Sequence, residues 1–242
     1  MTVLLLAGTQ EAKRIAWGLA DSRIKVVASL AGATRDPDPL PLPTRVGGFG
    51  GEDGFRTYVA ETNITAVLDA THPFAHQITD RTARICTELG VAYAQVLRPP
   101  WTPEKGDNWT EISKPADAAA HIPQEAAVFL ATGRQTIPEY ANLEGRRVMA
   151  RLIDAPTEPF PFAGGEYVIG RPPFKQEREE ALFKALHVTH LVAKNAGGQG
   201  GRAKLDAARV LGLPVLLLKR PAMPDAVRVD NVQDALRWVT RQ

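Results

Sequence analysis

The sequence predicts an α/β protein made of two Rossmann-like parallel-sheet domains with a cleft between them. Three observations carry this. Short apolar runs alternate with amphipathic stretches along almost the whole chain, the βαβ pattern of a parallel sheet with helices on both faces. A segment rich in proline and polar residues, LRPPWTPEKGDNW (97–109), interrupts that series and reads as a connection between domains. The length, 242 residues, suits two domains of about 100–120 residues each.

In chain order, TVLLLA (2–7) reads as a buried strand, TQEAKRIAWGLADS (9–22) as a helix and IKVVASLA (24–31) as a strand. EDGFRTYVAET (52–62) is a helix and TAVLDA (65–70) a strand. FAHQITDRTARICTELG (74–90) is a helix stopped by Gly90, and VAYAQVL (91–97) a strand. After the connection, PADAAAHI (115–122) reads as a helix, AAVFLAT (126–132) as a strand, IPEYANLE (137–144) as a helix and RRVMARLI (146–153) as a strand. Residues 154–165 form a loop before the short strand EYVIG (166–170). KQEREEALFKAL (175–186) is a helix built from strong helix formers. THLVAKN (189–195) is a strand, RAKLDAARVLG (202–212) a helix and LPVLLLKR (213–220) a strand. NVQDALRWVTRQ (231–242) is a closing helix able to pack on either half. The expected division is a cofactor-binding domain at 1–100 and a substrate-binding domain at 101–242.

Composition excludes several classes. Hydrophobic residues make up 44% and charged residues 23%, ordinary for a soluble globular protein. The 29 basic and 27 acidic residues nearly balance, and no basic run suggests nucleic acid. The apolar N-terminus is too short, and lacks the basic start, for a signal peptide. No stretch approaches the roughly 20 apolar residues of a membrane span. A single cysteine, Cys86, rules out an internal disulfide and suits a cytoplasmic setting. It reads as a small core residue, since a thiol nucleophile needs a base and no histidine is near it in sequence. The expected partner is a small molecule, and the expected state a monomer or weak homo-oligomer.

Parallel sheets bind ligands beyond the carboxyl ends of their strands, where strand order reverses. In the first such turn, Gly8 allows close backbone approach, Thr9 can cap the helix, and Gln10 lies in its first turn. The G-x-G-x-x-G fingerprint is missing, so the turn is either a phosphate cradle or a plain capped helix. The second strand ends without the acid that NAD-binding sheets place there; Ser29, Thr34 and Arg35 precede Asp36 and suit a 2′-phosphate, pointing to NADP. The glycines of RVGGFGGEDGF (45–55) either lie flat against a ligand or form a mobile turn.

The third strand ends in VLDATHPFAHQIT (67–79). His72 and Pro73 begin either a loop or a helix; proline favours the first helical position, which would set Thr71 and His72 beside a helix start. His72 and His76 have the i, i+4 spacing of zinc ligands, but His72 precedes the helix and no Glu follows it as H-E-x-x-H requires. The expectation is therefore no metal. Thr71 and His72 would form a wall against cofactor or substrate, and His72 is the candidate for proton transfer.

In the second half, Gly133 and Arg134 follow a strand directly. VAKNAGGQGGRAKLDAA (192–208) places Lys194 and Asn195 at a strand end, then four glycines including Gly198, then Arg202 and Lys204. Exposed N–H groups and cations make this an anion site, though not a P-loop; a flexible surface loop is the alternative. Residues 131–220 carry fourteen Lys/Arg against nine Asp/Glu, which suits a carboxylate-rich ligand or else a solvated basic face.

The segments LLAGTQEAKRIA, VVASLAG, RVGGFGG, VLDATHPFAHQIT, LRPPW, FLATGR and KNAGGQGG, followed by LGLPV, together resemble the precorrin-6A reductase family of cobalamin biosynthesis. They run in order from residue 4 to about residue 218. One departure is Ala7, where the family's first turn often has a glycine. The resemblance implies NADPH-dependent hydride transfer to a ring carbon of precorrin-6A, giving precorrin-6B, or the same reaction on the cobalt-bearing substrate. It implies that Gly8, Thr9, Gln10, Ser29, Thr71 and His72 hold NADPH or face the ring. Gly133, Arg134, Arg151, Lys194, Asn195, Gly198 and Lys204 would bind the polycarboxylate, with Arg35 beside the cofactor. Two rivals stand against it. A short-chain dehydrogenase needs Y-x-x-x-K, and none of Tyr58, Tyr93, Tyr140 and Tyr167 is followed by Lys at that spacing. A non-catalytic dinucleotide sensor would need no basic second site.

Overall fold

The computed structural model describes residues 1–32, 35 and 37–242, so Thr34 and Asp36 of the proposed 2′-phosphate loop lie outside it. In chain order the first elements are β1 (Thr2–Leu6), α1 (Gln10–Leu19), β2 (Lys25–Leu30), β3 (Thr44–Val46), α2 (Gly51–Glu61), β4 (Ala66–Asp69), α3 (His76–Leu89) and β5 (Ala92–Val96). Then come β6 (Trp109–Ile112), a 3₁₀ helix (Pro115–His121), β7 (Ala127–Ala131), a second 3₁₀ helix (Arg134–Leu143), β8 (Arg147–Leu152) and β9 (Gly165–Ile169). The chain ends with α4 (Gln176–Ala185), β10 (His190–Lys194), α5 (Ala203–Val210), β11 (Val215–Leu218), β12 (Val227–Val229) and α6 (Val232–Thr240).

The chain folds into two compact units, Met1–Pro99 with Pro221–Gln242, and Pro100–Arg220. Each holds one six-stranded, all-parallel sheet, ordered β3-β2-β1-β4-β5-β12 in the first and β9-β8-β7-β10-β11-β6 in the second. The α/β class with two Rossmann-like sheets is thus as the sequence predicted. Taking β1 and β7 as the first strands, the two orders correspond position by position. In each, strand order reverses beside that first strand.

The sixth position is filled from across the connection. β6, which follows β5 along the chain, pairs with β11 of the second sheet, and β12, which follows β11, pairs with β5 of the first. The 101–242 division, whose last helix the sequence left able to pack on either half, ends at Arg220 in the structure. Residues 221–242 belong to the first unit because α6 buries Ala235 and Val239 in the core of the first sheet. Gly18 of α1 allows this: a Cβ there would lie 2.8 Å from Leu236 Cδ1.

β1 is buried on both faces, as an interior parallel strand must be. Its alternate residues serve opposite layers. Val3, Leu5 and Ala7 face the core with α1 and α6, while Leu4 and Leu6 pack with Phe55 and Val59 of α2 and Ile85 and Cys86 of α3. In the second unit, Phe129, Met149, Leu191 and Leu217 pack with Phe183 of α4 and Leu205 of α5.

Two helices expected at 115–122 and 137–144 are 3₁₀ segments. Pro115 opens the first at its N-terminus. The second starts earlier, at Arg134, and contains Pro138, which lacks an N–H for the regular ladder; Tyr140 leaves helical geometry at φ −96°, ψ 20°. Among the described residues, no helix is long and apolar enough to cross a membrane.

Candidate functional site

In the first sheet the strand order reverses between β1 and β4, so the loops after these strands form the candidate site. Gly8 leaves β1 at φ +136°, a conformation open to glycine, and its Cα faces open space. Thr9 then ties the two loops together. Its Oγ1 accepts from Ala12 N at 3.1 Å, capping α1, and donates to Ala70 O at 2.8 Å beyond β4. Gln10 is exposed in the first turn of α1. Glu11 is paired with Arg98 at 2.7 Å, and burial lowers the Arg98 pKa against the opposing pull of that carboxylate.

Asp69 ends β4 and is 1% exposed. Its Oδ1 accepts from Thr71 N at 3.0 Å and Thr71 Oγ1 at 2.7 Å, and its Oδ2 from Thr79 Oγ1 at 2.7 Å and Tyr93 OH at 3.0 Å. One carboxylate therefore fastens the 70–72 loop to α3 and β5. Burial first, and then the Asp69 charge, push the Tyr93 pKa upward, so Tyr93 stays protonated as a donor. Cys86 is fully buried, and burial followed by Asp69 pushes its pKa up to about 12; it is a core residue, not a nucleophile.

Of the loop and the helix left open at His72 and Pro73, the structure has the loop. Ala75 N donates to His72 O at 2.7 Å, closing a separate turn, and α3 begins only at His76. Phe74 N donates to His72 Nδ1 at 3.2 Å. His72 thus sits in a turn and His76 on a helix. Among the described residues, no three His, Cys, Asp or Glu side chains gather as a metal site needs.

At the end of β2, Ser29 is buried and its Oγ accepts from Arg45 Nη1 at 2.8 Å. Arg45 lies directly across β3 from Ser29 and was not among the residues singled out from the sequence. It also donates to Gly47 O at 2.9 Å and Gly48 O at 2.8 Å, and it stacks on Phe49 at 4.0 Å. These bonds anchor the start of the glycine loop. Arg35 is exposed on the preceding connection.

In the second sheet, Gly133 and Arg134 follow β7, while Lys194 ends and Asn195 follows β10, its parallel neighbour. Arg134 is exposed and donates to Asp154 O at 3.3 Å. Burial lowers the Lys194 pKa, opposed by the Glu139 charge. The Asn195 side chain is committed elsewhere: its Oδ1 accepts from Trp101 N at 2.8 Å and its Nδ2 donates to Trp101 O at 3.0 Å. Trp101 Nε1 donates to Gly198 O at 2.8 Å, Lys204 donates to Gly201 O at 2.6 Å, and Arg220 donates to Asn195 O at 2.8 Å and Ala196 O at 2.9 Å. The glycine loop is therefore a braced structure. Trp101 closes the LRPPW segment of the sequence resemblance, whereas Arg220, which also braces the loop, lies outside those segments.

Arg151 is not on a rim. It is buried against Glu179 at 2.7 Å and stacks on Phe129 at 4.8 Å and Phe174 at 4.2 Å. A cation so paired holds α4 to β8, and it leaves the set available to a ligand.

This geometry defines a two-sheet α/β protein of the Rossmann-like class, with one backbone-lined and one cationic loop at its strand-order reversals. A family model described as Precorrin-6x reductase CbiJ/CobK matches residues 2–240, and the chain belongs to that family. A precorrin-6A reductase of Rhodobacter capsulatus is 42% identical over 238 residues, covering 98% of this chain and 95% of that protein. A solved structure of CobK precorrin-6A reductase matches with a TM-score of 0.95 at 42% identity, over 100% of this chain and 96% of that one. A cobalt-precorrin-6A reductase of Methanothermobacter thermautotrophicus is 28% identical over 236 residues, covering 91% of this chain and 77% of that protein.

Proposed function

We propose that this chain is an oxidoreductase that reduces precorrin-6A to precorrin-6B with NADPH, its first unit holding the cofactor and its second the carboxylates of the macrocycle. The cobalt-free substrate is favoured because the precorrin-6A reductase relative is the more similar of the two kinds, 42% against 28% identical.

The observation that carries the cofactor assignment is the Gly8–Thr9 turn. A backbone at φ +136° with open space above it, followed by the N-terminus of a capped helix, fits a pyrophosphate. When bound, NADPH supplies the hydride, and the neighbouring ring carbon takes a proton. The chain's own share is to hold and orient. Gly8, Thr9 and Gln10 would receive the phosphates, and Thr71, fixed through Asp69, would line the next loop.

His72 serves better as a hydrogen-bond donor than as an acid. Phe74 N–H points into Nδ1, which puts the neutral ring's hydrogen on Nε2; the imidazolium that a general acid needs would lose that bond. Lys194 and Arg134, with the N–H groups of the 196–201 loop, are the groups we assign to the substrate carboxylates. Lys204 and Asn195 shape that loop.

The test is to mix the purified protein with NADPH and precorrin-6A and follow nicotinamide absorbance. Loss of absorbance only when both are present is the expected result. Cofactor binding with no turnover on authentic substrate would favour the dinucleotide sensor instead.

A further inference from the structure

We propose that Arg45 is the residue that selects a 2′-phosphorylated dinucleotide over one lacking that phosphate. The inference rests on the reading that the first unit holds the cofactor, and it names the specificity determinant within that site.

In such sheets the end of the strand beside β1 recognises the adenosine ribose: an acid there binds the two hydroxyls, and a cation binds a 2′-phosphate. Here that position is Ser29, in register with Leu6 of β1 on one side and with Arg45 of β3 on the other. Asp38, the described carboxylate of the following connection, is engaged with Lys13 of α1 at 2.9 Å. The group delivered to the ribose end is the Arg45 guanidinium.

That guanidinium is held from several sides before any ligand arrives. Nη1 donates to Ser29 Oγ and Gly47 O, Nη2 donates to Gly48 O, and the plane rests on Phe49 at 4.0 Å. An arginine head has five N–H donors. Three are used in these bonds, leaving Nε–H and one Nη2–H for phosphate oxygens. Ser29, by accepting from Arg45, keeps its own hydroxyl hydrogen for the same ligand. A fixed planar donor loses little freedom on binding, which a mobile lysine could not match.

The experiment uses the full chain and two fragments that lack nicotinamide, 2′,5′-ADP and 5′-ADP, titrated by calorimetry. The unaltered protein should bind 2′,5′-ADP more tightly. Arg45→Gln should weaken 2′,5′-ADP by about 10- to 100-fold, the size of lost charge-assisted hydrogen bonds, and 5′-ADP by less than about threefold. Arg45→Lys, which keeps the charge and risks less of the fold, should lose an intermediate amount. Equal weakening of both fragments would overturn the proposal, reducing Arg45 to a brace for the glycine loop. So would a full loss of discrimination in Arg35→Gln with Arg45→Gln unaffected. If the unaltered protein binds neither fragment, the cofactor reading of the first unit fails first, and the proposal with it. Binding of both with equal affinity would sink the proposal alone.

Discussion

The two sheets have one strand order and opposite chemistry at the point where it reverses. In the first, β4 ends on Asp69, a carboxylate turned inward and met by four hydrogen bonds from Thr71, Thr79 and Tyr93. Its charge is spent holding a loop, and what faces outward is backbone. In the second, β10 ends on Lys194, half-buried and with its pKa lowered by desolvation. The helices differ in the same sense. Thr9 caps a regular α1, whereas Gly133 opens a 3₁₀ segment with no side-chain cap. A parallel sheet thus fixes where a ligand goes, and the residues at its strand ends decide whether backbone N–H groups or side-chain cations receive it. A pyrophosphate suits the first arrangement, and a polycarboxylate the second.

The sharpest probe of this contrast is Cys86, since it is the only thiol and lies in the core of the first unit. Its pKa of about 12 stands against an ordinary 9.0, so near neutral pH the folded thiolate population is roughly 1,000-fold below that of the unfolded chain. Alkylation should be slower by at least that factor until the first unit opens, and a urea series read by mass spectrometry would report that opening alone. The sign for pH follows. A raised folded pKa gives stability that is present below pH 9 and lost as pH rises from 9 towards 12. Fast labelling under native conditions would place Cys86 outside the core.

Next in size is Asp69→Ala. It strands the buried donor of Thr79 and the half-buried donors of Thr71 and Tyr93, at a cost of about 1–3 kcal/mol for the buried one and less for the others, so a loss of about 3 kcal/mol is expected. The urea midpoint for Cys86 labelling should fall accordingly. An unchanged midpoint would mean that the inward carboxylate is not what secures the first site.

The smallest effect concerns Lys194→Ala. Calorimetry should show precorrin-6A binding weakened by about tenfold, with 2′,5′-ADP binding unaltered. Loss of nucleotide binding with substrate affinity intact would reverse the roles of the two loops.

Much of the fold was legible because interior parallel strands are apolar on both faces, as in TVLLL and AVFLA. Three strands were not: β3, β6 and β12, all at sheet edges. Their segments TRV, WTEI and VRV each keep at most one fully buried residue, so no apolar run marks them. Their pairing depends on a neighbouring strand with unsatisfied hydrogen bonds. Within the candidate site, Gly8, Thr9 and Thr71 were visible as turn chemistry after strands. Arg45 was not, since it reaches Ser29 only through the pairing of β2 with β3. Arg151 misled because sequence displays a charge but not the Glu179 and phenylalanines that enclose it.

By itself, the sequence determined the alternation of strand and helix, the break between two series and the glycine-bearing turns after the strands, because all of these depend on side-chain periodicity and on local backbone freedom. Only the tertiary structure decided which sheet takes each sixth strand, which cations face outward and which carboxylate is consumed inside. Those outcomes depend on burial and on hydrogen bonds between residues far apart in the chain, and local pattern carries no record of either.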